Sequence, residues 1–461
     1  MSEENITMEF DRKLFLEEKI GILLFKFTFP AALAMISIAI ASLIDTIIIG
    51  RYVGTAGLAS LTLALPVFML FSALAATIGI GGAAVWSVDV GSNNYQRAEK
   101  VFGNSIMLNI LTGLLITVLG ITFIEPIMAF LGTPEDVYPY AKGYLSIFFP
   151  SGMFIIFAIG TNNFIRAEGM ANTAMTIILI AVFLNVLLDI LFVIIYGWGI
   201  EGAAYAALLA HLLAGLFILN HFLSGYSKIK LKKTMLIPDI KIMLEIIQVG
   251  TASFLRQFSI GIMHFIVNIS IVWYAAGPEA GMYLAIAGIS MKCIMFILMP
   301  VIGVIQGMQP IIGFNYGAKA YIRAKKTIIL AIATAFCIAS IIWLFIMIFP
   351  AQLLGAFSHD QILITKGQDI LRLLILVLPL VAAQTTGAGL FQILKKPIPA
   401  SFFAILRQVL LMVPIILLLP GFLGLNGVWY AVPIADFLAC LITAVWVIRE
   451  IRILDNLNAE T

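Results

Sequence analysis

Charge is scarce in this chain: Asp, Glu, Lys and Arg make up only 11% of its 461 residues, while 62% are apolar. So few charged groups cannot keep so much apolar surface out of water in soluble domains, which leaves an integral membrane protein. Cysteine is equally sparse. Cys293, Cys337 and Cys440 lie in separate hydrophobic runs without metal-type spacing, which excludes a disulfide frame or a zinc site and makes them packing residues. Four histidines, with His221 and His359 near loops, form no HExxH helix and no Ser/His/Asp set, and no Walker A sequence is present. The chain is therefore expected to be neither an enzyme nor an ATPase, and to need no cofactor. A cleavable signal is also missing, because Met1 to Lys19 is polar and amphipathic, so the first apolar run is expected to be retained.

What the sequence has in abundance is long apolar runs. They exceed about 20 residues and do not alternate, so they are helices that cross a bilayer and not barrel strands. Twelve spans are predicted at 22–49, 58–84, 101–124, 143–165, 174–196, 202–224, 243–274, 281–308, 327–349, 369–394, 400–419 and 425–448. With both termini placed inside the cell, 19 Lys and Arg residues, from Arg12 and Lys13 to Arg449 and Arg452, face the cytoplasm. Only Arg51, Lys142, Lys366 and Arg372 face outward, a bias that sets the orientation of a multi-pass plasma-membrane protein. The longest connection, the basic stretch 227–242 with Lys228, Lys230, Lys232, Lys233 and Lys241, separates an amino-terminal lobe (1–226) from a carboxy-terminal lobe (243–461). Attraction to the inner leaflet explains its lysines, and no nucleic-acid partner is implied.

The two lobes are degenerate copies. Gly199 to Ala206 (GIEGAAYA) returns 225 positions later as Gly424 to Ala431 (GLNGVWYA), and Ala98 and Lys100 answer to Ala324 and Lys326 at an offset of 226. Six spans followed by six make a parallel repeat with a pseudo-two-fold axis along the membrane normal, and a substrate path is expected between the lobes. The copies differ in their acids, since Asp189 corresponds to Pro414.

Acids at membrane depth are costly, about 2.5–3.5 kcal/mol on insertion scales, so Asp45 and Asp189 mark a functional site. Both lie in the outer part of their spans, and Asn185, four residues before Asp189, shares its helix face. Such a cluster binds Na⁺ through its oxygens or holds a proton on a desolvated carboxyl. A local role for Asp45 beside Arg51 is the alternative. Pro30, inside the first span, withdraws a hydrogen bond from the carbonyl of Lys26 and should kink that helix. Lys26, Arg256 and Arg407 read as snorkelling anchors. Lys292, at mid-depth, is expected to face the central cavity or an acid such as Asp436, with neutralisation by packing as the alternative. His211, equivalent to Asp436 in the repeat, is a weaker candidate.

These residues resemble the multidrug and toxic compound extrusion (MATE) family. The likeness rests on Pro30 followed by Asp45-Thr-Ile-Ile-Ile-Gly50, on Leu184-Asn185 with Asp189, on Gly199 to Ala206, on Gln309 to Ala318 (QPIIGFNYGA), and on Ile405-Leu-Arg-Gln408 leading to Asp436. The resemblance implies an all-α, V-shaped pair of six-helix lobes that exports organic, often cationic, drugs in exchange for H⁺ or Na⁺. By position, Asp45, Asn185 and Asp189 match the family's amino-lobe cation site, with Tyr144 joining the network and Pro30 as the bending proline. A threonine expected on the sixth span is replaced around Ala207. Where some branches carry acids on the seventh and tenth spans, this chain has Arg256-Gln257 and Gln384-Thr385-Thr386, which favours an amino-lobe mechanism. A monomer is expected. The rival reading is a flippase for lipid-linked saccharides, which would need several cations lining the cavity, where only Lys292 is well placed.

Overall fold

The computed structural model describes residues 13–460, apart from 132, 136, 226, 228–232, 276–278, 356 and 358–359. The expectations for Arg12, Lys228, Lys230, Lys232 and His359 therefore lie outside the described residues, as does the middle of the 227–242 connection. Every regular element among the described residues is helical.

Among the described residues, eleven helices are long and apolar enough to cross a membrane, and one bent pair taken as a single span makes a twelfth. In chain order the first six are Ile20–Tyr52, Thr55–Gly91, Tyr95–Thr122, Tyr138–Ala167, Ala171–Asp189 continued by a π turn through Ile190–Ile195, and Gly199–Leu223. The next six are Ile240–Tyr274, Glu279–Gly317, Tyr321–Ile348, the pair Gln361–Leu374 and Leu378–Ile393, the Pro397–Leu423 span, and Leu425–Glu460. All twelve predicted runs are found. The second, eighth and twelfth helices extend well past their apolar runs, because helical hydrogen bonding continues through polar turns that hydropathy does not register.

The tenth span departs from the continuous helix predicted over 369–394. It breaks between Leu374 and Leu378 and bends by 42°. Pro379 explains the break: it lacks an amide donor and sits in the first turn of the following helix, where a donor is not needed. Outside the spans, the short helix Ile124–Phe130 carries Glu125, whose carboxylate accepts from Lys142 and Tyr138 and is held below the usual carboxylate range by them.

The repeat seen in the sequence is also present in the backbone. Asn93 and Lys319, 226 positions apart, both adopt a left-handed conformation (φ 63° and 58°), as do Gly199 and Gly424 (φ 61° and 59°). Small residues then let the helices cross at backbone contact. A Cβ at Gly91 would lie 2.2 Å from the Phe314 carbonyl oxygen, and one at Gly317 would lie 2.1 Å from that of Val88, so the repeat-equivalent ends of the second and eighth spans meet reciprocally. Gly81 on the second span meets Ile246 and Gly250 of the seventh, and its equivalent Gly307 on the eighth meets Thr28 of the first. Such close approach supplies packing where lipid removes the hydrophobic drive between helices.

These crossings distribute the chain between two compact units. One comprises the residues up to Glu18, Leu33–Phe254 and Gly313–Ala318; the other comprises Lys19–Ala32, Leu255–Ile312 and Lys319–Thr461. The first, seventh and eighth helices thus each contribute to both. In the first unit, the entry to the seventh span is fastened to the third. Asn104 is fully buried, and its side-chain oxygen accepts from the Asp239 amide at 2.8 Å while its amide group donates to the Ile237 carbonyl at 3.3 Å. Beside it, a Cβ on Gly103 would stand 2.1 Å from the Met235 carbonyl oxygen. Arg97 binds Asp89 at the end of the second span and Glu245 on the seventh, and Asp239 accepts from the Lys241 amide at 3.0 Å, capping the start of the seventh helix.

Removing this fastening should be measurable. Asn104→Ala removes the partner of a half-buried amide and of a carbonyl and is expected to cost about 1 kcal/mol. A lowered midpoint of thermal unfolding in detergent is the readout, and an unchanged midpoint would show that the clamp contributes nothing.

Candidate functional site

Asp189 is the last α-helical residue of the fifth span, and the chain continues from it directly into the π turn Ile190–Ile195. The Tyr196 amide reaches back five residues to the Leu191 carbonyl at 2.9 Å, and the Trp198 amide bonds the Phe192 carbonyl at 2.9 Å. Such widened turns are rare and recur at functional sites. A group of aromatic residues closes this end: Trp198 stacks on Phe192 at 4.8 Å and meets Tyr205 edge-on at 6.0 Å. Trp198, Tyr196 and Tyr205 stay substantially exposed, as side chains at a membrane interface do. The helical rise from Asp189 to Tyr196 puts the acid about 10 Å inside that aromatic boundary.

Asp189 is fully buried, and neither carboxylate oxygen has a hydrogen-bond partner among the described residues. Asp45, partly buried on the first span, lies within electrostatic reach of it, and the buried Tyr144 of the fourth span lies within reach of both. The structure thus brings together three residues that are far apart along the chain and sit on three different spans. Asn185 sits one turn before Asp189 on the same helix and is half-buried, with no hydrogen bond to a described residue. No ion pair joins Asp45 to Arg51, so a purely local role for Asp45 finds no support among the described residues.

The walls of this site are apolar. Ile48 and Ile49 follow Asp45, Phe71 comes from the second span, Phe148 and Phe149 follow Tyr144, and Val193 follows Asp189; all belong to one contiguous core cluster. Tyr144 and Phe148 stack at 5.2 Å, and Phe148 in turn stacks on Phe71 at 5.4 Å. In such surroundings a bare carboxylate is expensive unless a proton or a cation accompanies it. The site can therefore hold a small positive charge. No group of three or more His, Cys, Asp or Glu side chains with metal-binding geometry occurs among the described residues.

Pro30 lies inside an unbroken first helix, two residues before the point at which that helix passes from one compact unit to the other. Lys292 is exposed on the eighth span and forms no ion pair with a described residue. Of the alternatives for Lys292, a pairing with Asp436 is not found: Asp436 is buried and receives its hydrogen bond from Arg407 at 3.1 Å. Arg407, read from the sequence as an interfacial anchor, lies in a second π turn, Leu406–Leu411, with its side chain mostly buried. The available signal was Asp436 itself, since an acid within an apolar run requires a partner. His211 contacts the Ala207 carbonyl at 2.7 Å, necessarily as the donor, and is thereby satisfied within its own helix. Gln384 donates to Thr443 of the twelfth span at 3.1 Å, so the tenth span contributes an amide and not an acid.

Comparison with known proteins adds a family context. The MatE family profile matches residues 30–191 and 252–418. The chain is 24% identical to the multidrug export proteins MepA of Staphylococcus saprophyticus and Staphylococcus aureus, with 98% of each chain covered. Its fold superposes with a TM-score of 0.90 on an outward-facing multidrug resistance MATE family transporter of the MOP superfamily, 25% identical, with 96% of this chain and 98% of that one covered.

The Arg407–Asp436 pair allows a structural test separate from the acidic site. Arg407→Ala leaves a buried carboxylate uncompensated and is expected to destabilise the protein by about 3–5 kcal/mol. Adding Asp436→Asn to that variant should recover part of the loss in a thermal melt; additive losses would show that the two side chains are not coupled.

Proposed function

The chain belongs to the MatE family, and on that premise we propose that it is a multidrug exporter that moves small organic, often cationic, compounds out of the cell by secondary antiport. The exchanged ion is H⁺ or Na⁺, taken up at Asp45 and Asp189 with Asn185 and Tyr144 beside them. The observation that carries this reading is the Asp189 carboxylate, buried at membrane depth with both oxygens unpartnered and Asp45 within electrostatic reach. A lone acid at that depth has no structural benefit to offset its cost. Two acids that sense each other's charge take up cations as a pair, so the first uptake governs the second.

The coupling runs through the first helix. With both acids ionised the site is electrostatically repulsive and open to a positively charged or polar guest. When both acids are neutralised by the cations they take up, the apolar walls close on a neutral centre, and the first helix bends at Pro30, which donates no amide to its own helix. Drug and cation then compete for one bistable element, and by linkage each lowers the affinity for the other, typically by about 1–3 kcal/mol. The driving force is adequate. One proton entering across about 100 mV releases about 2.3 kcal/mol, which sustains a gradient of roughly fifty-fold for a neutral drug.

The Lys and Arg bias assigns both termini to the cytoplasm, and the paired six-span lobes work as a monomer without a cofactor or a nucleic-acid partner. Lys292, exposed at mid-depth, serves as a fixed cavity charge, since a lysine there must reach water and not acyl chains.

In proteoliposomes with separately imposed pH and sodium gradients, Asp45→Asn and Asp189→Asn are each expected to lower ethidium transport at least about tenfold. Undiminished ion-driven transport by both variants would exclude the mechanism, and competition by lipid-linked oligosaccharide but not by organic cations would replace the substrate class. Pro30→Ala should slow exchange while leaving equilibrium cation binding near that of the wild type; equal rates in a stopped-flow assay would remove Pro30 from the cycle.

A further inference from the structure

A cavity of about 250 Å³ opens between the seventh and eighth spans, entirely within the second compact unit and on other helices than those bearing Asp45, Asp189 and Tyr144. Its polar end is made by His264 and Asn268, one turn apart on the same face of the seventh helix. The opposite wall is Leu284, Gly288 and Met291, which at spacings of four and three share one face of the eighth. Behind them Val267 and Ala287 belong to the apolar core of this unit, so the wall is fixed by packing. Gly288 creates the space: a Cβ built there meets no atom within 4 Å.

The chemistry of the lining defines its guest. A neutral imidazole and a carboxamide each present both a donor and an acceptor, so they accommodate either order of polar groups on a ligand edge. None of the described residues lining the cavity is an acid, so it offers no counter-ion to a full positive charge. Met291 contributes a polarisable sulfur, which favours the edge of an aromatic ring and adapts to several shapes. The volume lies below the roughly 300–1,000 Å³ of sites that enclose whole drug-sized ligands, and is enough for one ring system.

We propose that this cleft is a subsite for the flat, aromatic end of an organic substrate, binding a ring that carries an amine or carbonyl while the remainder of the molecule stays outside. The inference rests on the export reading for its substrate class but not on the acidic pair for its geometry. It gives the second unit a part in recognition, while the cation chemistry stays in the first.

The test is equilibrium binding of a neutral aminocoumarin, a planar fluorophore carrying both an aryl amine and a carbonyl, to the purified full chain in lipid nanodiscs, followed by fluorescence anisotropy. Gly288→Leu fills the cavity from a position with free space around it and is expected to weaken binding about tenfold or more. His264→Ala should weaken it by about three- to tenfold. Gly421→Leu is the control: it is the same kind of change, also into free space but on a helix that contributes no residue to the cavity, and should bind as the wild type does. Wild-type affinity in Gly288→Leu, or no aminocoumarin binding by the wild type, would overturn the subsite. Asp45→Asn and Asp189→Asn decide the antiport reading separately, by transport, so loss of one conclusion does not imply loss of the other.

Discussion

Within the hydrocarbon of a bilayer there is no water to satisfy a polar group, and every charge at that depth must find its partner in the protein or in what the protein carries. Among the described residues, several polar side chains within the spans obey that constraint internally. Arg407 meets Asp436, Gln384 meets Thr443, His211 meets its own helix, and Asn104 holds two backbone groups. Asp189 does not. Both of its oxygens lack a partner among the described residues, and the proposed cation site rests on that carboxylate.

The framework around the acid is stiff where it has to be. Aromatic side chains of the second and fourth spans stack in series from Phe71 through Phe148 to Tyr144, and the π turn after Asp189 ends in a group of interfacial aromatics. The proposed cycle places its compliance in the first helix. Its proline lies two residues before the place where the helix leaves one compact unit for the other. The Asn104 clamp has the opposite effect on the seventh helix, whose entry is held to the third by hydrogen bonds and by glycine-permitted backbone contact.

The duplication separates framework from chemistry. Left-handed turns and glycine crossings recur at offsets of 225 and 226, because helix ends and close crossings tolerate few residue types. Polar residues were free to diverge. Asp89, which binds Arg97, corresponds to Asn315, while Asp189 corresponds to Pro414 and His211 to Asp436. The first half carries the paired acids, and the second carries a balanced ion pair and a cleft with amide and imidazole groups, so the two copies have complementary chemistry on a shared scaffold.

The sequence by itself determined the membrane class, the twelve spans and the acids worth noticing, since each follows from composition, run length or the cost of a charge in lipid, all of which are local properties. It also marked Pro30 and the internal repeat. The break in the tenth span was hidden because hydropathy is continuous through Ile375 to Val377, and the helix extensions beyond Ala84 and Met308 because polar turns carry no apolar signal. Only the tertiary structure decided which charge meets which. The sequence read Arg407 as an interfacial anchor and Lys292 as the charge that would face a cavity or an acid, yet Lys292 is exposed and it is Arg407 that pairs with Asp436. The proximity of Asp45, Tyr144 and Asp189, and the cleft beside Gly288, likewise arise from helices packing across long stretches of chain, because partner choice depends on the direction of side chains in space, which periodicity along one helix cannot convey.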